Sequence, residues 1–131
     1  MSDTRAQTPL PRLSSPTLHC PDAPALARFY AELTGGEVTF SIPAWAVVDG
    51  PGGRIDVQTV SDYQPPTWPD GERPVLLHLD FYVHDLKEGE RHALACGARR
   101  ESEQPNAEHC LVFRDPVGQV FCLTIWEDIG A

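Results

Sequence analysis

The sequence has few basic residues and no long apolar run. Ten Lys and Arg residues stand against 19 Asp and Glu, which gives a formal net charge of -9. Polyanion-binding proteins usually present basic surface, so we expect neither a nucleic-acid partner nor an anionic membrane partner. No apolar stretch approaches the ~20 residues that cross a bilayer, and the first residues lack the basic cluster and apolar run of a secretory signal. These absences predict a soluble, cytoplasmic protein.

The four cysteines also lack the spacing of a metal or redox motif. None of them forms a C-x-x-C pair. Without an export signal, a disulfide framework or a structural zinc site is disfavoured. We expect reduced thiols, most of them buried as small apolar side chains.

The chain is long enough for one domain or two small paired modules. It has 131 residues, of which 41% are hydrophobic and 22% are charged. This composition is that of an ordinary globular protein with enough apolar surface for a core. We expect a short mobile tail over residues 1–11 and a single domain over residues 12–131.

The first half of the chain predicts a strand, a helix and three further strands. Asp22 is an N-cap candidate for a helix over about 23–33, and Gly35 follows its end. The four strands are predicted over 13–20, 37–42, 44–49 and 54–60. The Pro-rich segment 61–74 connects this half to the next.

The second half repeats this order. Asp85 is the next N-cap candidate, reinforced by Glu88 as in a capping box, for a helix that ends near Cys96. Alternation over 75–84 places Leu77, Leu79, Phe81 and Val83 on a core face and His78, Asp80 and Tyr82 on the other. Strands are also predicted over 98–102, 109–114 and 120–126, and a type I turn joins the last two.

The matching order indicates an internal duplication. Asp22 and Asp85 lie 63 residues apart, and Gly35 and Gly97 lie 62 apart. Two βαβββ modules, about 12–60 and 75–127, are the simplest explanation. The predicted fold class is therefore α+β: a curved, cleft-bearing mixed sheet with two helices packed outside, and the cleft between the modules would bind a small molecule.

Three segments resemble the vicinal oxygen chelate superfamily, which includes glyoxalase I, extradiol dioxygenases and bleomycin-resistance proteins. They read DAPALARFY from Asp22, HLDFYVHDL from His78 and RDPVGQVFCL from Arg114. The connection around Trp68 and the Phe-Cys-Leu ending look most like a glyoxalase-like subfamily whose members share no single established reaction. The resemblance implies paired βαβββ modules and, as is common in the superfamily, a homodimer.

Metal-dependent members of the superfamily carry ligands on the first and fourth strands of each module. By counting, these positions fall at Ser15, Gln58, His78 and Cys122. His78 is the only one that retains the expected ligand type, although Cys122 could bind a soft metal as thiolate. An amide such as Gln58 cannot serve as a base. Glyoxalase I chemistry by the usual route is therefore disfavoured, and no complete divalent-metal site is predicted.

A different group of residues could hold iron(II). His78 and Asp80 lie two apart on one strand and so share a face. With His19 they would form a two-histidine, one-carboxylate set. The alternative is that Asp80 only orients His78 through a hydrogen bond.

Aromatic residues could contact a flat ligand. Tyr82 and Trp126 have the same strand parity as His78 and Cys122, and Trp68 could close over the cleft or cover a sheet edge. We therefore expect a small, partly aromatic molecule to bind in the cleft, with His78 and Asp80 as catalytic candidates. The remaining ligand-binding candidates are Ser15, His19, Gln58, Trp68, Tyr82, Cys122 and Trp126. The alternative function is a metal-dependent lyase, isomerase or dioxygenase that acts on vicinal oxygens.

Overall fold

The computed structural model describes residues 9–126. Most of the predicted N-terminal tail, residues 1–8, and the last five residues of the predicted domain lie outside this range. Between residues 9 and 126, no helix is both long and apolar enough to span a membrane.

Module one consists of a strand, a helix and three strands. They are β1 (Thr17–Cys20), α1 (Ala23–Thr34), β2 (Glu37–Ile42), β3 (Trp45–Gly50) and β4 (Gly53–Thr59). The sheet order is β1-β4-β3-β2, with β1 parallel to β4 and the other pairs antiparallel. The crossover through α1 makes the parallel pairing possible.

Module two repeats this topology. Its elements are β5 (Leu79–Tyr82), α2 (Leu86–Cys96), β6 (Arg99–Arg100), β7 (Cys110–Arg114) and β8 (Val120–Thr124). The sheet order is β5-β8-β7-β6, with β5 parallel to β8. Two four-stranded mixed sheets with two helices confirm the predicted α+β fold of paired βαβββ modules.

Both helices begin where the sequence predicts. The side chains of Asp22 and Asp85 accept hydrogen bonds from the backbone N–H groups of Ala25 (3.3 Å) and Glu88 (3.0 Å). These bonds satisfy donors that have no partner inside the helix. The side chain of Glu88 pairs with Arg91 at 2.7 Å, so the expected capping box is formed on the Asp85 side.

The helix ends and the last hairpin also follow the sequence. Gly35 and Gly97 are in the left-handed region, with φ of 73° and 112°, where a side chain would be strained. In the turn between β7 and β8, the backbone N–H of Gly118 donates to the carbonyl of Asp115 at 2.9 Å. This is the bond that closes a type I turn.

One apolar core spans both modules, and α1 joins them. Phe29 and Tyr30 on α1 pack against Phe81 and Phe121 of module two, with ring centroids 6.0 to 6.3 Å apart. The hydroxyl of Tyr30 donates to the fully buried carboxyl of Asp115 at 2.6 Å. Burial raises the pKa of Asp115 and of Tyr30. The contact fixes the two modules against each other.

The first strand of each module is shorter than predicted. β1 begins at Thr17 instead of residue 13, and β5 begins at Leu79 instead of residue 75. The prediction that Leu77 lies on a core face is wrong, because Leu77 is 79% exposed. These residues lack the neighbouring strand that would bury them, since the partner β8 begins only at Val120.

Candidate functional site

Each sheet has one side against the helices and one open side. On β4, Ile55 and Val57 belong to the shared core, and Asp56 between them points the other way. On β8, Phe121 and Leu123 belong to the core and Cys122 points away from it. This follows from the two-residue period of a strand. We call the side away from the helices the open face of a module.

The open face of module one carries a closed polar cluster around Asp56. The carboxylate accepts hydrogen bonds from Ser15 Oγ (2.9 Å), Trp45 Nε1 (2.9 Å), Arg54 Nε (2.7 Å) and Arg54 Nη2 (3.0 Å). Asp56 is 2% exposed. The hydrogen bonds from Arg54, then from Ser15 and Trp45, hold its pKa below the usual value. Four donors use the acceptor capacity of a carboxylate, so Asp56 has little left for a ligand.

The open face of module two carries an open cluster. Nε2 of His78 lies 3.0 Å from Oδ1 of Asp80, and their side chains are 42% and 57% exposed. One donor atom each of His78, Asp80 and Cys122 lie within 4.8 Å of one another. The strand register explains the arrangement, because Asp80 is paired with Cys122 across β5 and β8.

The thiol of Cys122 is the buried member of this cluster. Burial raises its pKa to about 12, and the neighbouring Cys110 and Asp80 add to the effect. Trp68 and Val75 from the connecting segment pack on Val112, Val120 and Cys122. Trp68 therefore covers part of the open face of module two, while the indole N–H donates to the carbonyl of Glu103 at 3.3 Å.

A pocket of about 240 Å³ lies where the two modules meet. Module one contributes Arg54 and the apolar side chains of Val48 and Ile55, and module two contributes Asp80 and Tyr82. The open cluster thus has a concave neighbour with apolar walls and a few polar groups, as small-molecule sites do.

The other predicted site residues lie apart from this cluster. Gln58 and His19 are register partners on β4 and β1 of module one. His19 lines a surface pocket with Arg73 and Gln119, so within residues 9–126 the predicted set of His19, His78 and Asp80 is not assembled. Ser15 belongs to the closed cluster.

Trp126 forms an aromatic pair at the edge of module two. Its ring stacks on His109 with centroids 5.1 Å apart and an interplanar angle of 25°. Both Trp126 and Tyr82 are nearly half exposed. Their outer ring surfaces are available for contact.

The structure changes the position that matches Cys122 in module one. Thr17 and Asp80 each lie five residues before the N-cap of their module, and their register partners are Asp56 and Cys122. Asp56, not Gln58, is therefore the counterpart of Cys122. Sequence counting missed the Asp56 cluster, although Arg54 and Asp56, two apart on one strand, carry a signal for a same-face ion pair.

The chain matches one protein family over most of its length. Residues 15–124 match the family model of the glyoxalase-like domain. No curated protein has a significant match to the chain.

Several solved structures have a similar fold. A mutant of FosX, a genomically encoded fosfomycin resistance protein from Listeria monocytogenes, was solved with Mn(II) and 1S,2S-dihydroxypropylphosphonic acid. It has a TM-score of 0.70 and 18% identity over 91% of this chain and 93% of that one. A glyoxalase/bleomycin resistance protein/dioxygenase family enzyme from Burkholderia phytofirmans has a TM-score of 0.64 and 17% identity over 84% and 94%. An integron cassette protein from V. cholerae has a TM-score of 0.60 and 19% identity over 92% and 98%. At these identities the likeness concerns the fold.

Proposed function

Because this chain belongs to the glyoxalase-like domain family of the vicinal oxygen chelate superfamily, we propose that it binds a small organic molecule with adjacent oxygen atoms on the open face of module two. One observation carries the proposal. His78 and Asp80 form a 3.0 Å pair that is about half exposed and lies beside the buried thiol of Cys122. The corresponding face of module one is closed by Arg54.

The pair has the chemistry to orient two neighbouring oxygens. The Asp80 carboxylate accepts a hydrogen bond from a ligand hydroxyl, and the His78 imidazole can donate or accept. The walls of the adjacent pocket suit an apolar or aromatic body, and Tyr82 offers an exposed ring beside it. A His–Asp pair can also move a proton near neutral pH, so it would serve as general acid and base if the ligand is a substrate.

Calorimetric titration with catechol tests this proposal. Catechol has two adjacent hydroxyls on a flat ring, and phenol is the matched control with one hydroxyl. We expect catechol to bind the metal-free protein more tightly than phenol, and Asp80→Asn to weaken catechol about tenfold, or 1.4 kcal/mol. Equal affinities for catechol and phenol, unchanged in Asp80→Asn, would contradict the proposal. So would the absence of binding at about 1 mM catechol, where the binding free energy would be only about -4 kcal/mol.

A second candidate function is that of a metal-dependent enzyme, a lyase, isomerase or dioxygenase acting on vicinal oxygens. It is favoured by the nitrogen, oxygen and sulfur donors of His78, Asp80 and Cys122, which lie within 4.8 Å of one another. A FosX structure with the same fold contains Mn(II) and a vicinal diol. A bound ion would supply a Lewis acid for the ligand oxygens.

The residues present do not fit Mn(II). This ion prefers carboxylate, carbonyl and water oxygens in octahedral geometry. The open cluster offers one carboxylate beside an imidazole and a buried thiol. The counterpart carboxylate of module one, Asp56, is engaged by four hydrogen bonds, so it adds no oxygen ligand.

We also propose a homodimer in a reducing compartment such as the cytoplasm. Phe40, Ile42 and Trp45 are exposed on neighbouring strands of module one, with 50%, 45% and 40% of their surface accessible. Apolar surface of this kind favours association. All four cysteines are free thiols, which suits a reducing environment. Light scattering that gives the mass of a monomer at micromolar concentration would contradict the dimer.

A further inference from the structure

We infer that the open cluster of His78, Asp80 and Cys122 selects a thiophilic divalent ion, of which Zn²⁺ is the representative, over Mn²⁺. The inference rests on the second candidate function and starts from its misfit with Mn(II). Zn²⁺ takes imidazole nitrogen, carboxylate oxygen and thiolate sulfur in the same site. These are the three donor types that module two brings together.

The spacing of the donors suits a tetrahedral ion. Zinc bonds of about 2.0 to 2.3 Å imply donor atoms about 3.4 to 3.6 Å apart. The His78–Asp80 separation is 3.0 Å, and every donor pair lies within 4.8 Å. His78 and Asp80 have about half-exposed side chains and can adjust by rotation, whereas Cys122 is 5% exposed and held within β8.

Charge and protons balance in the bound state. The thiol of Cys122 releases its proton to solvent, and the thiolate and the Asp80 carboxylate together neutralise the two charges of the ion. His78 binds through Nε2 as a neutral imidazole with its proton on Nδ1, so its contact with Asp80 is replaced by two bonds to the ion. No electron is transferred.

Three protein ligands leave one position of a tetrahedral ion open. Catalytic zinc sites have this arrangement, whereas structural sites are closed by four ligands. Asp80 also lines the pocket at the module boundary, so a ligand in that pocket would lie next to the open position. The zinc site and the binding site of the proposed function would then be one site.

Cys122 determines the selectivity. Divalent ions of the first transition row bind most sites more tightly than Mn²⁺ does, so a preference for Zn²⁺ alone is not diagnostic. The diagnostic property is dependence on sulfur. Replacing the thiol with a hydroxyl should weaken Zn²⁺ strongly and Mn²⁺ little.

The test uses reduced, metal-free full-length protein and the metals alone as probes. We expect one equivalent of Zn²⁺ by calorimetry, and with Co²⁺ a near-ultraviolet thiolate-to-cobalt charge-transfer band. Cys122→Ser should lose this band and bind Zn²⁺ at least about tenfold more weakly, with Mn²⁺ affinity little changed. Cys96→Ser, which removes a thiol on α2 outside the cluster, should retain the band and the affinity.

His78→Gln is the second variant, because its half-exposed side chain can be replaced with little risk to folding. It should also weaken Zn²⁺ at least about tenfold. The inference is overturned if wild type binds no stoichiometric Zn²⁺, if Co²⁺ binds without the sulfur band, or if Cys122→Ser binds Zn²⁺ as tightly as wild type. Loss of the band in Cys96→Ser with its retention in Cys122→Ser would also overturn it.

The catechol titration separates the two proposals. If catechol binds metal-free protein through Asp80 and Zn²⁺ does not bind, the binding function stands and the zinc inference fails. If Zn²⁺ binds through Cys122 and catechol binds neither the metal-free nor the zinc-loaded protein, the zinc inference stands and the binding function fails.

Discussion

The open faces of the two modules share a backbone plan and differ in how their polar groups are satisfied. Ser15 and Asp56 of module one correspond to His78 and Cys122 of module two by their place in the strands. In module one a buried carboxylate receives four hydrogen bonds from its own module. In module two, His78 and Asp80 remain about half exposed. A duplicated fold can thus keep one copy of a site for stability and leave the other for a ligand.

The difference depends on the residue two positions before the fourth-strand site. In module one this residue is Arg54, whose guanidinium lies on the same side of β4 as Asp56 and neutralises it. In module two it is Val120, which is 5% exposed and packs with Trp68. An apolar residue provides no internal cation, so the carboxylate of Asp80 is left for solvent or a ligand.

The largest effect expected is on stability after replacement of the two aspartates. Asp56→Asn leaves Arg54, Trp45 and Ser15 with an amide that cannot accept from all of them, and should lower the free energy of unfolding by about 2–3 kcal/mol. Asp80→Asn, the matched change in the exposed pair, should cost about 0–1 kcal/mol. Urea denaturation at neutral pH measures both. Equal losses would remove the distinction between a closed and an open cluster.

The closed cluster should also appear in the acid dependence of stability. The hydrogen bonds from Arg54 and from other donors lower the pKa of Asp56 in the folded state, while an unfolded Asp titrates near about 3.9. Its contribution is therefore present above about pH 3.9 and is lost as pH falls through the lower folded-state pKa, at most about 1.4 kcal/mol per pH unit.

Asp56→Asn should flatten this part of the stability curve. The buried Asp115, whose pKa is raised by burial, contributes in the opposite sense: its stability is lost as pH rises from about 3.9 through its higher folded-state pKa. Asp115 is unchanged in both proteins, so the difference between their curves reports Asp56. Parallel curves for wild type and Asp56→Asn between about pH 2 and 5 would contradict the assignment.

A smaller effect concerns pairwise coupling. Ser15→Ala should cost about 1 kcal/mol in wild type and little in an Asp56→Asn background, because its hydroxyl then has no charged acceptor. The corresponding cycle of His78→Gln with Asp80→Asn should give a coupling below about 0.5 kcal/mol, since the pair is exposed. Coupling in the second cycle as large as in the first would show that module two is closed as well.

The local features of the fold could be predicted from sequence, and the long-range ones less well. Asp22, Asp85, Gly35 and Gly97 act on groups within a few residues, so the helix bounds follow from short patterns. The extent of β1 and β5 depends on where a distant partner strand begins, which explains the wrong placement of Leu77.

The candidate site was only partly predictable for the same reason. His78 and Asp80 lie two apart on one strand, so their shared face follows from the period of a strand. Their approach to Cys122 depends on the register of β5 with β8, which sits 42 residues away in sequence. The matching offset in module one is 39 residues, and this difference of three concealed Asp56 behind the counted position, Gln58.

The assignment of module two as the binding face is tested most directly by NMR. In a ¹H–¹⁵N titration of the metal-free protein with catechol, the amide signals of His78, Asp80 and Cys122 should shift with ligand concentration, and those of Ser15 and Asp56 should stay in place. Shifts confined to Ser15, Trp45 and Asp56, with none at His78, Asp80 or Cys122, would contradict the account and place the binding face on module one.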